Sequence, residues 1–240
     1  MHTASPLARF FLERLRRCLL ASVGLILFAF AYYLQLVASI GLSPWQALNE
    51  GLILHLPITF GQASILVSVL VVAADLLLRE PIGLGTILDA LLVGWATDLF
   101  LALDLFSTPG SIWMALFVLF LSLVIASVSQ VIYMRAGLSC GPRDALMVAL
   151  GKRVSRFPIG GVNIAMSLAV LLVGVLLGGS LGVGTAINLF GTGMIMEAVF
   201  RLLRFEPRSV THEGLAQTAR AFFDAYHAAK SGSASEKSDL

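Results

Sequence analysis

Long, mostly apolar stretches constrain this chain more than any other feature of its sequence, because each is long enough to cross a bilayer as a helix. There are six of them: Leu19–Ser39, Gln62–Leu78, Thr86–Phe106, Ser111–Met134, Gly160–Gly178 and Thr185–Leu203. They lack the alternation of apolar and polar residues that a transmembrane β-strand shows. Only 12% of the 240 residues are charged, against about 25% in soluble domains. The sequence therefore predicts an all-α polytopic membrane protein and excludes soluble enzymes, nucleic-acid binders and disulfide-rich secreted proteins.

Basic residues are confined to one side of the predicted membrane. All 16 lysines and arginines lie in four places: the arm 1–18, Arg79, the loop Arg135–Arg156 and the segment from Arg201 onwards. The intervening loops hold none: Gly41–Gly61, Asp104–Gly110 and Gly179–Gly184. Since short basic loops stay in the cytosol, we expect six spans with both termini cytosolic. The first span follows a basic arm, as a signal peptide does, but its apolar run is too long for one, which favours a retained helix.

The two halves of the membrane region share a sequence pattern. Gly83-Leu84-Gly85-Thr86 recurs 99 positions later as Gly182-Val183-Gly184-Thr185. The same offset relates four further pairs: Asp89 and Asn188, Gly94 and Gly193, Asp98 and Glu197, Gly61 and Gly160. We therefore expect two membrane repeats, 19–106 and 111–203. Each contains three spans, and an odd number inverts the second copy, as in many secondary transporters.

A short helix is predicted before the second span of each repeat. Ser43-Pro44 and Gly141-Pro142 are favourable helix starts, so we expect helices from Pro44 to about Leu54 and from Pro142 to about Val154. Upstream, Gly41-Leu42-Ser43 matches Gly137-Leu138-Ser139, with two extra residues before Pro142. The two helices are too short to span the membrane. They lie either at its surface or dip into it as re-entrant elements, which only a protein interior or a cavity tolerates.

The two glycine-threonine turns have two interpretations. We expect Thr86 and Thr185 to cap the helices that follow, with Asp89 and Asn188 three residues later completing a shortened capping box. Alternatively, both helix N-termini point at an anionic ligand from opposite sides of the membrane, and these four residues bind it.

Acidic residues inside the spans are candidates for chemistry, because burying a charge in lipid is costly. Asp98 and Glu197 lie equally deep in their helices, near the predicted midplane. We expect them either to bind a proton or cation in a shared cavity or to be satisfied by a neighbour, such as Arg201 one turn from Glu197. Asp75 is expected to pair with Arg79 in the same way.

A charged pair, Arg143-Asp144, follows the glycine-proline turn on the predicted cytosolic side. An arginine at a helix start can bind a phosphate or carboxylate of a solute. It can equally pair with Asp144 or with anionic lipid head groups. The sequence leaves these alternatives open.

The composition changes after Leu203, where residues 204–240 are expected to be cytosolic. Apolar residues on one face, among them Leu215, Phe222 and Tyr226, predict an amphipathic helix at about Thr211–Ala229. The polar residues from Ser231 onwards predict a disordered tail.

These features favour a non-enzymatic role, since no catalytic, metal or cofactor motif stands out. The first hypothesis is a small-solute or ion transporter or exporter, favoured by the inverted repeat and the buried acids. The alternative is a membrane-embedded accessory or regulatory subunit that binds a protein partner through the basic loop or the C-terminal helix.

The chain resembles the YczE/YitT family of bacterial integral membrane proteins, and its YczE-like branch in particular. The resemblance rests on four segments: Gly41-Leu42-Ser43-Pro44-Trp45, Gly83-Leu84-Gly85-Thr86, Gly137-Leu138-Ser139-Cys140-Gly141-Pro142-Arg143-Asp144 and Gly182-Val183-Gly184-Thr185. It covers roughly Leu19–Leu203 and implies a multi-pass protein of the bacterial inner membrane. It implies no particular substrate and no soluble ligand-binding domain at the C-terminus.

Overall fold

The chain folds into a bundle of helices joined by short turns. The structure is a computed structural model that describes residues 6–139, 141–154, 159–206 and 213–238. Its helices are α1 (Pro6–Ala38), α2 (Pro44–Ile53), α3 (Phe60–Leu77), α4 (Leu84–Leu103), α5 (Ile112–Arg135), α6 (Pro142–Arg153), α7 (Ile159–Leu176), α8 (Val183–Leu202) and α9 (Leu215–Ser238). These ranges contain no β-strand. The predicted all-α fold class is confirmed.

Within the described ranges, five helices are long and apolar enough to cross a membrane: α1 from Phe10, α3, α4, α5 and α8. The apolar part of α7, Gly161–Leu176, is shorter. Many large apolar side chains on these helices face outwards, such as Leu77 and Trp113. Such a surface is suited to lipid rather than water.

Two boundaries differ from the sequence predictions. The predicted arm 1–18 is helical from Pro6, because no residue between Pro6 and Ala38 breaks the helix and proline is well placed at its first turn. The helix α9 begins later than predicted, at Leu215, and continues to Ser238. This range includes most of the segment from Ser231 onwards, for which a disordered tail is predicted.

Helix α9 and the residues just before it contact the start of α1. The carboxylate of Glu213 pairs with the guanidinium groups of Arg14 and Arg17. Phe222 of α9 packs edge-on against Phe10 and Phe11. Arg14 and Arg17 thus lie beside the start of the C-terminal region at one end of the bundle, which we call the basic end.

The short helices α2 and α6 are packed inside the protein. No residue from Gly41 to Ile53 or from Gly141 to Gly151 is exposed. Helix α2 packs against α3 and α7, and α6 packs against α3 and α7 as well. This burial is typical of re-entrant elements, since a helix lying at a membrane surface leaves one face uncovered.

Most helix pairings in the first half of the chain have an equivalent in the second half. We take α1 to α4 as the counterparts of α5 to α8. The pairings α1–α4 and α2–α3 then correspond to α5–α8 and α6–α7. The pairings α2–α7 and α2–α8 correspond to α6–α3 and α6–α4. All eight pairings are present. The two equivalent helices α1 and α5 also pack against each other.

The backbone conformation repeats in the same way. Among the described residues, those with left-handed φ form four pairs 98 to 100 positions apart: Ser39 and Gly137, Gly41 and Ser139, Arg79 and Gly178, Asp104 and Arg204. The first two pairs have the same offset as Pro44 and Pro142. The chain therefore has no two-residue insertion between Ser139 and Pro142, and that prediction is wrong. By backbone conformation Gly41 corresponds to Ser139, not to Gly137.

One contact of the first half is not matched in the second. Helices α3 and α4 meet through glycines, and a Cβ on Gly94 would lie 2.5 Å from the carbonyl oxygen of Gly61. The equivalent residue of α8, Gly193, faces open space. The two halves thus differ in how tightly these two helices pack.

Candidate functional site

A polar cluster lies where the N-termini of α2 and α6 approach each other. Helix α6 begins with Pro142, so Arg143 extends from its first turn. The guanidinium group lies 4.8 Å from the ring centre of Trp45 on α2 and 5.5 Å from that of Tyr32 on α1. It also donates a hydrogen bond to the Tyr32 hydroxyl. Contacts with two aromatic faces hold a cation in a fixed orientation inside the protein.

Two carboxylates complete the cluster. The hydroxyl of Tyr133 on α5 donates a hydrogen bond of 3.0 Å to Asp144. Asp89 on α4 lies so close to Gly141 that a Cβ there would collide with its carboxylate. Asp89 interacts electrostatically with both Arg143 and Asp144. The structure therefore brings together three of the predicted site residues, Asp89, Arg143 and Asp144.

Buried amides near the cluster have unused hydrogen-bonding capacity. Gln35 follows Tyr32 by three residues on α1, and Asn49 follows Trp45 by four on α2, so each lies on the helix face of its aromatic neighbour. The Oε1 atom of Gln35 and both polar atoms of Asn49 are buried without a hydrogen-bond partner. Such groups are costly unless something binds them. A polar solute at this place would gain hydrogen bonds that the protein does not make.

The glycine-threonine turns differ from the predicted caps. Gly83 and Gly182 occupy the N-cap positions, and Thr86 and Thr185 lie in the first turn, where each hydroxyl accepts a hydrogen bond from the N-cap N–H. The prediction that the threonines are N-caps is wrong, because Gly83 and Gly182, which have extended backbone, take the N-cap position and the helices begin at the next residue. Thr86 also bonds to the hydroxyl of Ser139, 2.8 Å away.

Asp89 and Asn188, predicted as partners in capping boxes, have other surroundings. Asp89 lies in the cluster with Arg143, whereas the amide of Asn188 donates to the carbonyl of Gly184 at 2.9 Å. Asn188 is buried. Of the two equivalent positions, only the acidic one is part of the charged cluster.

Asp98 and Glu197 do not share a cavity. Asp98 accepts hydrogen bonds from the Thr59 hydroxyl and from the N–H of Gly61, at 2.6 Å, so it binds the N-terminus of α3. Glu197 is exposed on α8 and pairs with Arg201 at 2.5 Å. Of the two expected arrangements, the structure shows satisfaction by near neighbours, with Arg201 beside Glu197, and not a shared cavity.

Asp75 does not form the predicted pair with Arg79. Asp75 is fully buried, and both of its carboxylate oxygens lack a hydrogen-bond partner. Arg79 is exposed and has a left-handed backbone that directs the chain away from α3.

Three residues of the cluster were not predicted from the sequence: Tyr32, Trp45 and Tyr133. A signal existed for Trp45, which precedes the matched Gln46-Ala47-Leu48 and so occupies the position equivalent to Arg143. Tyr32 and Tyr133 carry no comparable signal, since aromatic residues are common in apolar helices.

Comparison with known proteins identifies the family of the chain. Residues 15–201 match the model of a family of unknown function, DUF6198. The chain is 33% identical over 177 residues to the uncharacterised membrane protein YczE of Bacillus subtilis, covering 72% of this chain and 80% of YczE. It is 25% identical over 187 residues to an uncharacterised protein of Haemophilus influenzae, covering 76% of this chain and 84% of that protein.

A third relative is the uncharacterised protein YyaS of Bacillus subtilis, 24% identical over 181 residues, with 72% of this chain and 87% of YyaS covered. No solved structure matches the chain. The resemblance to YczE-like proteins is confirmed. Together with the apolar helices, these matches identify the chain as a multi-pass membrane protein of the DUF6198 family.

Proposed function

We propose that this protein is a carrier for a small polar solute, built from two inverted three-helix repeats, with the solute site at Arg143. The contact between Arg143 and Trp45 carries the proposal. These residues are equivalent in the two halves, so their contact supports a site near a twofold axis between the repeats. Carriers with inverted repeats bind their substrates at such repeat interfaces.

The equivalent helix pairings and the four pairs of left-handed residues support the inverted repeat. In this arrangement α7 is the sixth span. Its 18 residues extend about 27 Å at 1.5 Å per residue, close to the roughly 30 Å hydrocarbon core of a bilayer. The basic end then faces the cytosol of a bacterium, and both termini are cytosolic.

The chemistry of the cluster favours a solute with a carboxylate or phosphate group. Arg143 presents a planar set of donors that suits either anion. Asp89 and Asp144 lie beside it and suit a positively charged or hydrogen-bond-donating group on the same molecule. The unpartnered amides of Gln35 and Asn49 provide further polar contacts.

The unequal closure of the two halves supports movement during transport. In the first half, Asp98 and Gly61 join α3 to α4. In the second, Gly193 faces open space and the side chain of Glu197 is 64% exposed. We propose that α7 and α8 close in the opposite state of the carrier while α3 and α4 part, which would expose Arg143 to each side in turn.

The test is a binding screen followed by transport. The melting temperature of purified wild-type protein is measured in the presence of acetate, succinate, glycine or inorganic phosphate. Any compound that raises it is then supplied in radiolabelled form to proteoliposomes. We expect at least one probe to raise the melting temperature and to accumulate above the level in protein-free liposomes. Arg143→Lys should retain the fold and lose the stabilisation, because it keeps the charge but not the planar donors.

A screen in which no probe stabilises the protein or enters the liposomes would contradict the carrier. The accessory-subunit alternative then gains, especially if the protein purifies with a stable partner. Helix α9 would be the docking surface to examine, because Phe223 and Tyr226 are exposed on it.

A further inference from the structure

We propose that Asp75 is a buried proton-binding site whose occupancy controls how tightly α6 packs against α3. The side chain is fully buried and neither carboxylate oxygen has a partner. A buried ionised carboxylate without partners is very costly, whereas the protonated form is neutral. The proton site stands on this geometry alone, and only its link to solute movement rests on the proposed function.

Equivalence between the halves indicates what Asp75 faces. The equivalent residue is Gly174 of α7, where a Cβ would lie 2.6 Å from the backbone nitrogen of Leu48 on α2. Helix α6 is the equivalent of α2 and packs against α3. Asp75 therefore lies at the interface of α3 with α6, at the place where the second half has only a glycine.

Two cations of α6 near this interface are engaged elsewhere, and Arg79, four residues after Asp75, is exposed. Lys152 of α6 pairs with the carboxylate of Glu80 at 2.7 Å. Arg153 donates to the backbone carbonyls of Ala149 and Leu78, at 3.0 and 2.9 Å.

Charged groups on the other helices packed against α3, and those at the start of α6, have their own contacts. Asp98 of α4 binds the N-terminus of α3, and Glu50 of α2 accepts from the N–H of Ser180 at 2.5 Å. Asp89 and Arg143 belong to the polar cluster, and Asp144 accepts from Tyr133. These contacts leave the proton as the simplest means of neutralising Asp75.

Loss of the proton would place an uncompensated charge between α3 and α6. Hydration of that charge requires the two helices to separate. Because α6 carries Arg143 in its first turn, the separation would also shift the polar cluster. Proton release at Asp75 is thereby linked to the solute site.

Carbodiimide labelling tests the proton site directly. Dicyclohexylcarbodiimide is apolar and reacts with protonated carboxyl groups, forming a stable N-acylurea that peptide mass spectrometry locates. We expect wild-type protein to be labelled at Asp75, with a yield that falls as the pH rises. Asp75→Asn is the control, since it lacks the carboxyl group and the peptide that contains position 75 should then carry no label. Absence of label at Asp75, or a yield independent of pH, would overturn the proposal.

Hydrogen exchange tests the effect on packing. After correction for the intrinsic rate, exchange in 142–153 of wild-type protein should speed up as the pH rises, and Asp75→Asn should abolish this dependence. Helix α2 is the matched control, since its interface with α7 has Gly174 at the position equivalent to Asp75. Its exchange rate should not change with pH. Neither readout needs a solute, so failure of the carrier proposal would leave both expectations intact. Equal pH dependence in wild-type protein and Asp75→Asn would contradict the proposal.

Discussion

Replacing Arg143 with glutamine is expected to lower the free energy of unfolding by about 2–3 kcal/mol. The substitution removes a cation that contacts two aromatic rings and leaves Asp89 and Asp144 close together without it. It should also abolish binding of any anionic solute. The melting temperature of the purified protein in detergent, measured by intrinsic tryptophan fluorescence, reports the first effect.

A cation on the same helix provides the control. The side chain of Lys152 is 60% exposed and pairs with Glu80, so Lys152→Gln should cost less than about 1 kcal/mol. If Arg143→Gln melted at the same temperature as Lys152→Gln, the guanidinium would contribute no more than a surface charge. The cluster would then not be a site.

Gly94→Ala is expected to destabilise the protein by about 1–3 kcal/mol. Its new methyl group would lie 2.5 Å from the carbonyl oxygen of Gly61 and 2.6 Å from Cγ1 of Ile65. One of these contacts is with backbone, so α3 and α4 must move apart. Thermal unfolding of the purified variant measures the loss.

The equivalent substitution in the second half should have the opposite sign. Gly193 faces open space, and alanine in place of a helical glycine contributes roughly 0.5–1 kcal/mol of stability. Gly193→Ala is therefore expected to melt at or above the wild-type temperature. Equal destabilisation by both substitutions would show that α7 and α8 are packed as tightly as α3 and α4.

Apolar pattern and helix starts make much of this fold predictable from sequence. The short helices were predicted at Pro44 and Pro142, and both begin there, because a fixed φ at the first helical position specifies a start locally. The end of α9 was not predictable in this way. Alanine, glutamate and lysine support a helix within a polar tail, so composition alone does not decide between helix and disorder.

The candidate site was predicted only in part. The position of a residue along a helix follows from sequence, and it correctly identifies Asp98 as an acid inside a span. It does not specify the neighbour, and Thr59 happens to start α3 beside that acid. Conversely, Arg143 was known only as a helix-start cation, and its contact with Trp45 depends on how α2 and α6 converge. Contacts between distant segments are tertiary facts that no local pattern contains.

The inverted arrangement of the two halves is the central claim, and labelling from outside the cell tests it most directly. Ser107 and Arg204 follow the ends of α4 and α8, which are equivalent helices. Each is replaced singly by cysteine after Cys18 and Cys140 have been changed to serine, and a membrane-impermeant maleimide is applied. Ser107→Cys should label in intact cells, and Arg204→Cys only after permeabilisation. Labelling of both in intact cells would place the two helix ends on the same side, which contradicts both a sixth span at α7 and the inversion.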